Sequence, residues 1–205
     1  MAEFIREFLS IFTSDGKIIT LIISMFPLIE LKGAIPIGVS YGENLITSAL
    51  LAYAGSSLIV IPLFFLLIPI FNLLKKIPFI KKLVEKIELV FKQKAEKLAQ
   101  KSNGEAEDKK RKMLIIGLFI FVAVPFPVTG IWTGTAIAVF LNMKFKDSFL
   151  PIVLGNLVAG SIITLLTFLL EPYVDLIIVT LFAIAIIMLI IFILKIVKAK
   201  PEETK

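Results

Sequence analysis

The chain has 205 residues, 58% of them apolar and only 19% charged, with a net charge of +6 and a mean hydropathy of +0.98. A soluble domain carries about 45–50% apolar residues because its outside faces water, so this composition points to an integral membrane protein. There is no Cys and no His, which excludes disulfides, thiolate nucleophiles, Ser-His-Asp triads and zinc sites of the usual kind.

The first segment, residues 1–17, mixes Phe4, Ile5, Phe8, Ile11 and Phe12 with charges and lacks a signal-peptide shape. It reads as a short amphipathic helix lying at the membrane interface. A short apolar run, Ile18 to Ile29, comes next, followed by Glu30-Leu31-Lys32-Gly33-Ala34-Ile35-Pro36-Ile37-Gly38. Pro27 and Pro36 bracket a charged stretch that falls at membrane depth. A continuous span there exposes Glu30 and Lys32 to lipid, which is costly. A re-entrant helical hairpin over residues 18–41, buried in protein or lining a wet cavity, avoids the cost. The loop Gly42-Glu43-Asn44 has no base and suits the outside. Leu45 to Leu74 then runs 30 residues without a charge, enough for a helix of about 20 residues to cross the hydrocarbon core.

Residues 75–112 form a polar linker with twelve Lys and one Arg against six acids. Basic loops stay in the cytoplasm, which places the linker inside. Leu83, Val84, Ile87, Val90, Phe91, Ala95 and Leu98 recur at helical spacing within it. The reading is an amphipathic helix on the anionic inner leaflet, with a partner-docking helix as the alternative.

The run from Met113 to Met143 cannot cross once without breaking the loop-charge rule. A single crossing puts Lys144 and Lys146 outside, the acidic loop Glu171 to Asp175 inside, and the basic C-terminus outside. A return to the cytoplasmic side satisfies every loop, and Pro125-Phe126-Pro127-Val128-Thr129-Gly130 supplies the break. Residues 113–143 therefore read as a second re-entrant hairpin, 149–170 as a crossing helix and 174–197 as a final one. The expected architecture is all-α: two inverted re-entrant hairpins, about three transmembrane helices and an amphipathic cytoplasmic helix.

A shift of 100 residues pairs Phe26-Pro27 with Phe126-Pro127, Ser48 with Ser148 and Gly55 with Gly155. The order of elements also matches: broken hairpin in 18–74 and 113–170, polar turn, long span. That is the pattern of an inverted repeat, and broken segments at corresponding places point to a transport site near the midplane. A duplication without a transport role is the alternative.

The site candidates follow. Glu30 and Lys32 are charges at depth, either a structural ion pair or part of a proton or substrate path. Gly33 and Pro36 shape the same break. Thr129, Gly130, Trp132, Thr133 and Gly134 belong to the second break, where freed backbone N–H groups can bind an anion, or where the Thr hydroxyls merely satisfy the backbone. Asn156, flanked by Gly155 and Gly160, either joins helices or contacts substrate.

The segments Glu30 to Gly38 and Pro125 to Gly134 (Pro125-Phe126-Pro127-Val128-Thr129-Gly130-Ile131-Trp132-Thr133-Gly134) resemble the small multidrug export protein family, itself similar to the DedA/VTT membrane proteins. The resemblance spans nearly the whole chain. It implies two opposed re-entrant hairpins and a role in transport or lipid translocation. The expectation is a multi-pass cell-membrane transporter or lipid flippase, with the N-terminus outside and the linker and C-terminus cytoplasmic. Proton coupling and a homo-oligomer are left open. The partners are membrane lipids and an amphiphilic or anionic, phosphate-bearing substrate; nucleic acid and cofactors are not expected. A non-transporting scaffold that recruits partners through the linker is the alternative, and no nucleophile–base pair suggests an enzyme.

Overall fold

The computed structural model describes residues 13, 15–77, 81, 84–87, 89, 107–126 and 129–198. In chain order the helices are α1 (Gly16–Ile23), α2 (Glu30–Ser40), α3 (Leu45–Leu58), α4 (Val60–Leu74), α5 (Glu107–Ala123), α6 (Ile131–Phe140), α7 (Phe145–Leu169) and α8 (Val174–Lys198). A single 3-10 turn, Glu171–Tyr173, precedes α8, and no strand occurs among the described residues. Side-chain caps start two of the helices. The Asp15 carboxylate accepts from the Lys17 amide at 2.8 Å, and the Asn44 side chain accepts from the Ile46 amide at 2.8 Å, satisfying N–H groups that have no partner within the helix.

Among the described residues, two helical stretches, Leu45–Leu74 and Phe145–Leu169, are long and apolar enough to cross a membrane. Their outer faces are apolar, with Leu50, Phe65, Leu150 and Leu165 all more than half exposed. A surface of that kind is stable in hydrocarbon and a liability in water. Inside, Ile19, Leu31, Ala52, Ile163 and Ile178 join α1, α2, α3, α7 and α8 in one cluster, while Val60, Leu118, Ile131 and Ile152 join α4, α5, α6 and α7 in another.

Local geometry recurs 100 residues on. After α2, the Gly42 and Glu43 amides close on the Val39 and Gly38 carbonyls at 2.9 and 3.1 Å; after α6, the Asn142 and Met143 amides close on Val139 and Ala138 at 3.0 and 3.0 Å. Gly42 and Asn142 both take positive φ, +85° and +54°. Where α1 crosses α3, a Cβ on Gly55 would overlap the Leu21 carbonyl; where α5 crosses α7, a Cβ on Gly155 would lie 2.7 Å from the Phe119 carbonyl. The α3–α4 rod and α7 run antiparallel, since Leu45 shares a groove with Phe168 while Phe65 stacks on Phe145. Near their crossing, residues 100 apart touch. The Tyr53 hydroxyl donates to the Val153 carbonyl at 3.4 Å and the Asn156 amide donates to Ser56 Oγ at 2.8 Å.

Several boundaries differ from the sequence reading. The first break lies at residues 24–29 rather than across Glu30-Leu31-Lys32-Gly33, which instead opens α2; Pro36 sits inside that helix. Proline is disruptive mainly through its missing N–H, and here that leaves only the Lys32 carbonyl without its usual amide partner. The first arm starts at Gly16, two residues early, because Asp15 caps it. The helix at the start of the expected second hairpin begins at Glu107 rather than residue 113, reaching into the charged tract. The crossing helix expected at 149–170 begins at Phe145. The 45–74 span breaks at Ile59, three residues before Pro62, whose ring cannot continue the ladder. A helix, Val174–Lys198, covers the residues expected to form the final span. The interfacial helix of residues 1–17 lies almost wholly outside the described residues, and of the linker helix only 81, 84–87 and 89 are described, as helix.

Candidate functional site

The first break, 24–29, and the described residues of the second, 124–126 and 129–130, approach one another, and the buried ion pair of Glu30 and Lys32 bridges them. Both residues are buried, with side chains 7% exposed. Lys32 Nζ donates to Glu30 Oε2 at 3.0 Å, to the Phe126 carbonyl at 2.9 Å and to the Thr129 carbonyl. An ammonium has three protons, so every donor of Lys32 is used. The other carboxylate oxygen, Glu30 Oε1, accepts the Trp132 amide N–H at 3.1 Å. Trp132 Nε1 returns the link by donating to the Met25 carbonyl at 2.9 Å. Glu30 thus caps the first turn of α6 from the other half of the chain, and the carboxylate suits the positive end of that helix.

Side chains two apart on a regular helix do not face one another. Glu30 and Lys32 meet because Glu30 is the first residue of α2 and has φ +49°, while Leu28 has φ +73°. Two non-glycine residues with positive φ within three positions store strain of about 1–3 kcal/mol each and persist only where the surroundings enforce them. Gly130 faces the pair from the second break with φ +147°. A Cβ there would overlap Glu30 Oε2 and come within 2.7 Å of Lys32 Nζ, so glycine is required on two counts. Thr129 holds the second break in shape, its hydroxyl shared between the Val124 and Phe126 carbonyls at 2.7 and 2.8 Å.

The remaining sequence candidates are placed elsewhere. Gly33 makes room for Ile29 of its own turn, and Gly134 lets α6 approach Val122 of α5. Pro36 is buried inside α2. Thr133 is half-buried one residue past Trp132. Asn156 is buried between α3 and α7, bonded to Ser56 and Ser57 at 2.8 and 3.3 Å, which is the helix-joining role. Sequence reasoning missed the carbonyls of Met25, Phe126 and Thr129. Backbone acceptors have no residue signature, although a proline-flanked break announces that some carbonyls have lost their amide partners.

The fold and site define an all-helical protein with membrane-length helices and a buried ion pair clamped between two broken segments. Residues 30–162 match the family described as "Putative small multi-drug export protein". The match opens on Glu30 and takes in both members of the ion pair, the second break and Asn156. The chain belongs to this family. No curated protein and no solved structure matches it.

Proposed function

We propose that the protein is a small multi-pass membrane transporter that moves an amphiphilic substrate past a gated site between two re-entrant hairpins. The observation that carries this reading is the Glu30–Lys32 pair, held between two helix breaks and bonded to both. Charges at membrane depth are costly and mark ion or substrate paths, and paired discontinuous helices are where transporters place their sites. The family's name adds export as the direction of its chemistry.

In this reading α1–α2 enters and leaves on the outside, α5–α6 on the cytoplasmic side, and the linker and C-terminus are cytoplasmic. Support for an inverted repeat comes from the paired turns and the antiparallel crossing at Tyr53–Val153 and Ser56–Asn156. Because Lys32 has no spare donor, a phosphate-bearing headgroup must displace Glu30 or a carbonyl to reach it. Protonating Glu30 removes the charge that faces Lys32 and the acceptor strength that holds Trp132, which frees the clamp. Proton coupling therefore goes through Glu30.

The test is flux or flipping of a fluorescent amphiphile by purified protein in liposomes, with and without a pH gradient. Glu30→Gln keeps the size and one acceptor, enough for the Trp132 amide, but its NH2 cannot accept from Lys32; with folding checked by a melting control, it is expected to lose the response to the gradient. Gradient-dependent flux in a folded Glu30→Gln protein refutes the coupling, and absence of flux in the unchanged protein refutes transport.

A further inference from the structure

On the outside of the molecule, a groove of about 470 Å³ runs between α3 and α7. Leu45, Ala49 and Tyr53 form one wall; Gly160, Thr164 and Leu165 form the other. The Thr164 hydroxyl is bonded to the Gly160 carbonyl at 2.8 Å within its own helix, so this wall offers no free donor from that residue. The nine residues from Leu45 to Tyr53, eight steps, rise about 12 Å along a helix, close to half of a hydrocarbon core about 30 Å thick. The groove closes where Tyr53 meets Val153, at the crossing of the two rods.

The recurrence at 100 residues indicates what fits. The equivalents of Leu45, Ala49, Thr164 and Leu165 are Phe145, Phe149, Phe64 and Phe65. On the far side of the crossing these four rings pack against one another between α4 and α7, with Phe65 still more than half exposed. Phe64 lies 5.5 Å from Phe65 and 5.3 Å from Phe145, Phe65 lies 5.1 Å from Phe145, and Phe145 lies 5.2 Å from Phe149. In one half the chain plugs the furrow with its own apolar side chains; in the other, smaller residues leave it open. An apolar void forfeits dispersion contacts along its lining, and water needs two to four polar partners to occupy such a space. The occupant is therefore apolar, slender, about half a membrane long, and admitted from the open end.

We propose that the α3–α7 groove binds one acyl chain of a membrane phospholipid, taken only from the leaflet on the Gly42 and Tyr173 side. This goes beyond the transport reading and needs neither Glu30 nor Lys32.

The test starts with the unchanged protein in nanodiscs containing phospholipid with a mid-chain diazirine. After photolysis, adducts are expected on residues 45–53 and 157–168 several-fold above those on 57–68 and 145–153. Copying the plug with Leu45→Phe, Ala49→Phe, Thr164→Phe and Leu165→Phe is expected to bring the first pair of segments down to the level of the second. If the plugged protein does not fold, Phe64→Thr with Phe149→Ala opens the opposite furrow and is expected to gain adducts there. Equal labelling of both furrows in the unchanged protein overturns the proposal. So does a plugged variant that loses a dimer while keeping its lipid adducts, which assigns the groove to a second copy of the chain.

Discussion

Gly130→Ala is the sharpest perturbation of the clamp. The new Cβ would overlap Glu30 Oε2 and crowd Lys32 Nζ, at a backbone position with φ +147°. Strain at such a φ costs about 1–3 kcal/mol. Displacing one member of a buried ion pair adds about 3–5 kcal/mol, because the other charge is left uncompensated. A loss of at least ~4 kcal/mol is expected. Gly42→Ala is the control: its φ is +85°, yet nothing lies within 4 Å of the new Cβ, so it loses only the strain, about 1–3 kcal/mol. Unfolding in micelles can be followed by the fluorescence of Trp132, the single tryptophan. The two variants are then compared again in a Glu30→Ala, Lys32→Met background, where the overlap is gone. There the Gly130→Ala penalty is expected to fall toward that of Gly42→Ala, a coupling that a double-mutant cycle isolates. If Gly130→Ala costs the same in both backgrounds, the clamp does not depend on the close approach and the reasoning fails.

Three further outcomes are expected. Glu30→Gln with Lys32→Met should recover most of the stability that either single change loses, while flux stays absent; recovery of gradient-dependent flux would reduce the pair to a structural pin. In this Cys-free chain, Gly42→Cys and Tyr173→Cys should react with an impermeant thiol reagent from outside and Lys146→Cys should not; outside labelling of position 146 would rule out the second hairpin. Arg111 grips Asp147 through two bonds at 2.8 and 2.5 Å, but Arg111 is exposed. Arg111→Gln should therefore lower stability only slightly, and less at high salt; a large loss by denaturant titration that salt leaves unchanged would mean the contact is shielded from water.

How much of this was legible beforehand depends on which atoms carry the signal. Long uncharged runs give membrane-length helices directly, because hydrophobic length is a property of side chains. Pro125 and Gly130 mark the second break, since both restrict or free the backbone in ways the letter code records. Glu30 and Lys32 stand out as charges at depth. Their partners do not, because the Phe126 and Thr129 carbonyls that hold Lys32 could belong to any residue type. Positive φ at Leu28 and Glu30 is equally silent, as neither residue prefers that region and only tertiary contacts impose it. Asn156 reads two ways in the sequence, and nothing in the letter code pairs it with Ser56, 100 residues earlier.

The clamp also has a consequence for how the chain is made. Lys32 and the Thr129 carbonyl are 97 residues apart, and Glu30 and the Trp132 amide are 102 apart. At a synthesis rate of about 5–20 residues per second, the first hairpin exists for roughly 5–20 s before its charges have anything from the second to hold. An ammonium and a carboxylate with only each other as partners are poorly tolerated in lipid for that interval. The nascent first hairpin is thus expected to wait in a hydrated place, at the interface or in the insertion machinery, and to enter the bilayer interior together with the second. A chain arrested before residue 129 should leave position 32 open to aqueous reagents, and release of the arrest should close it.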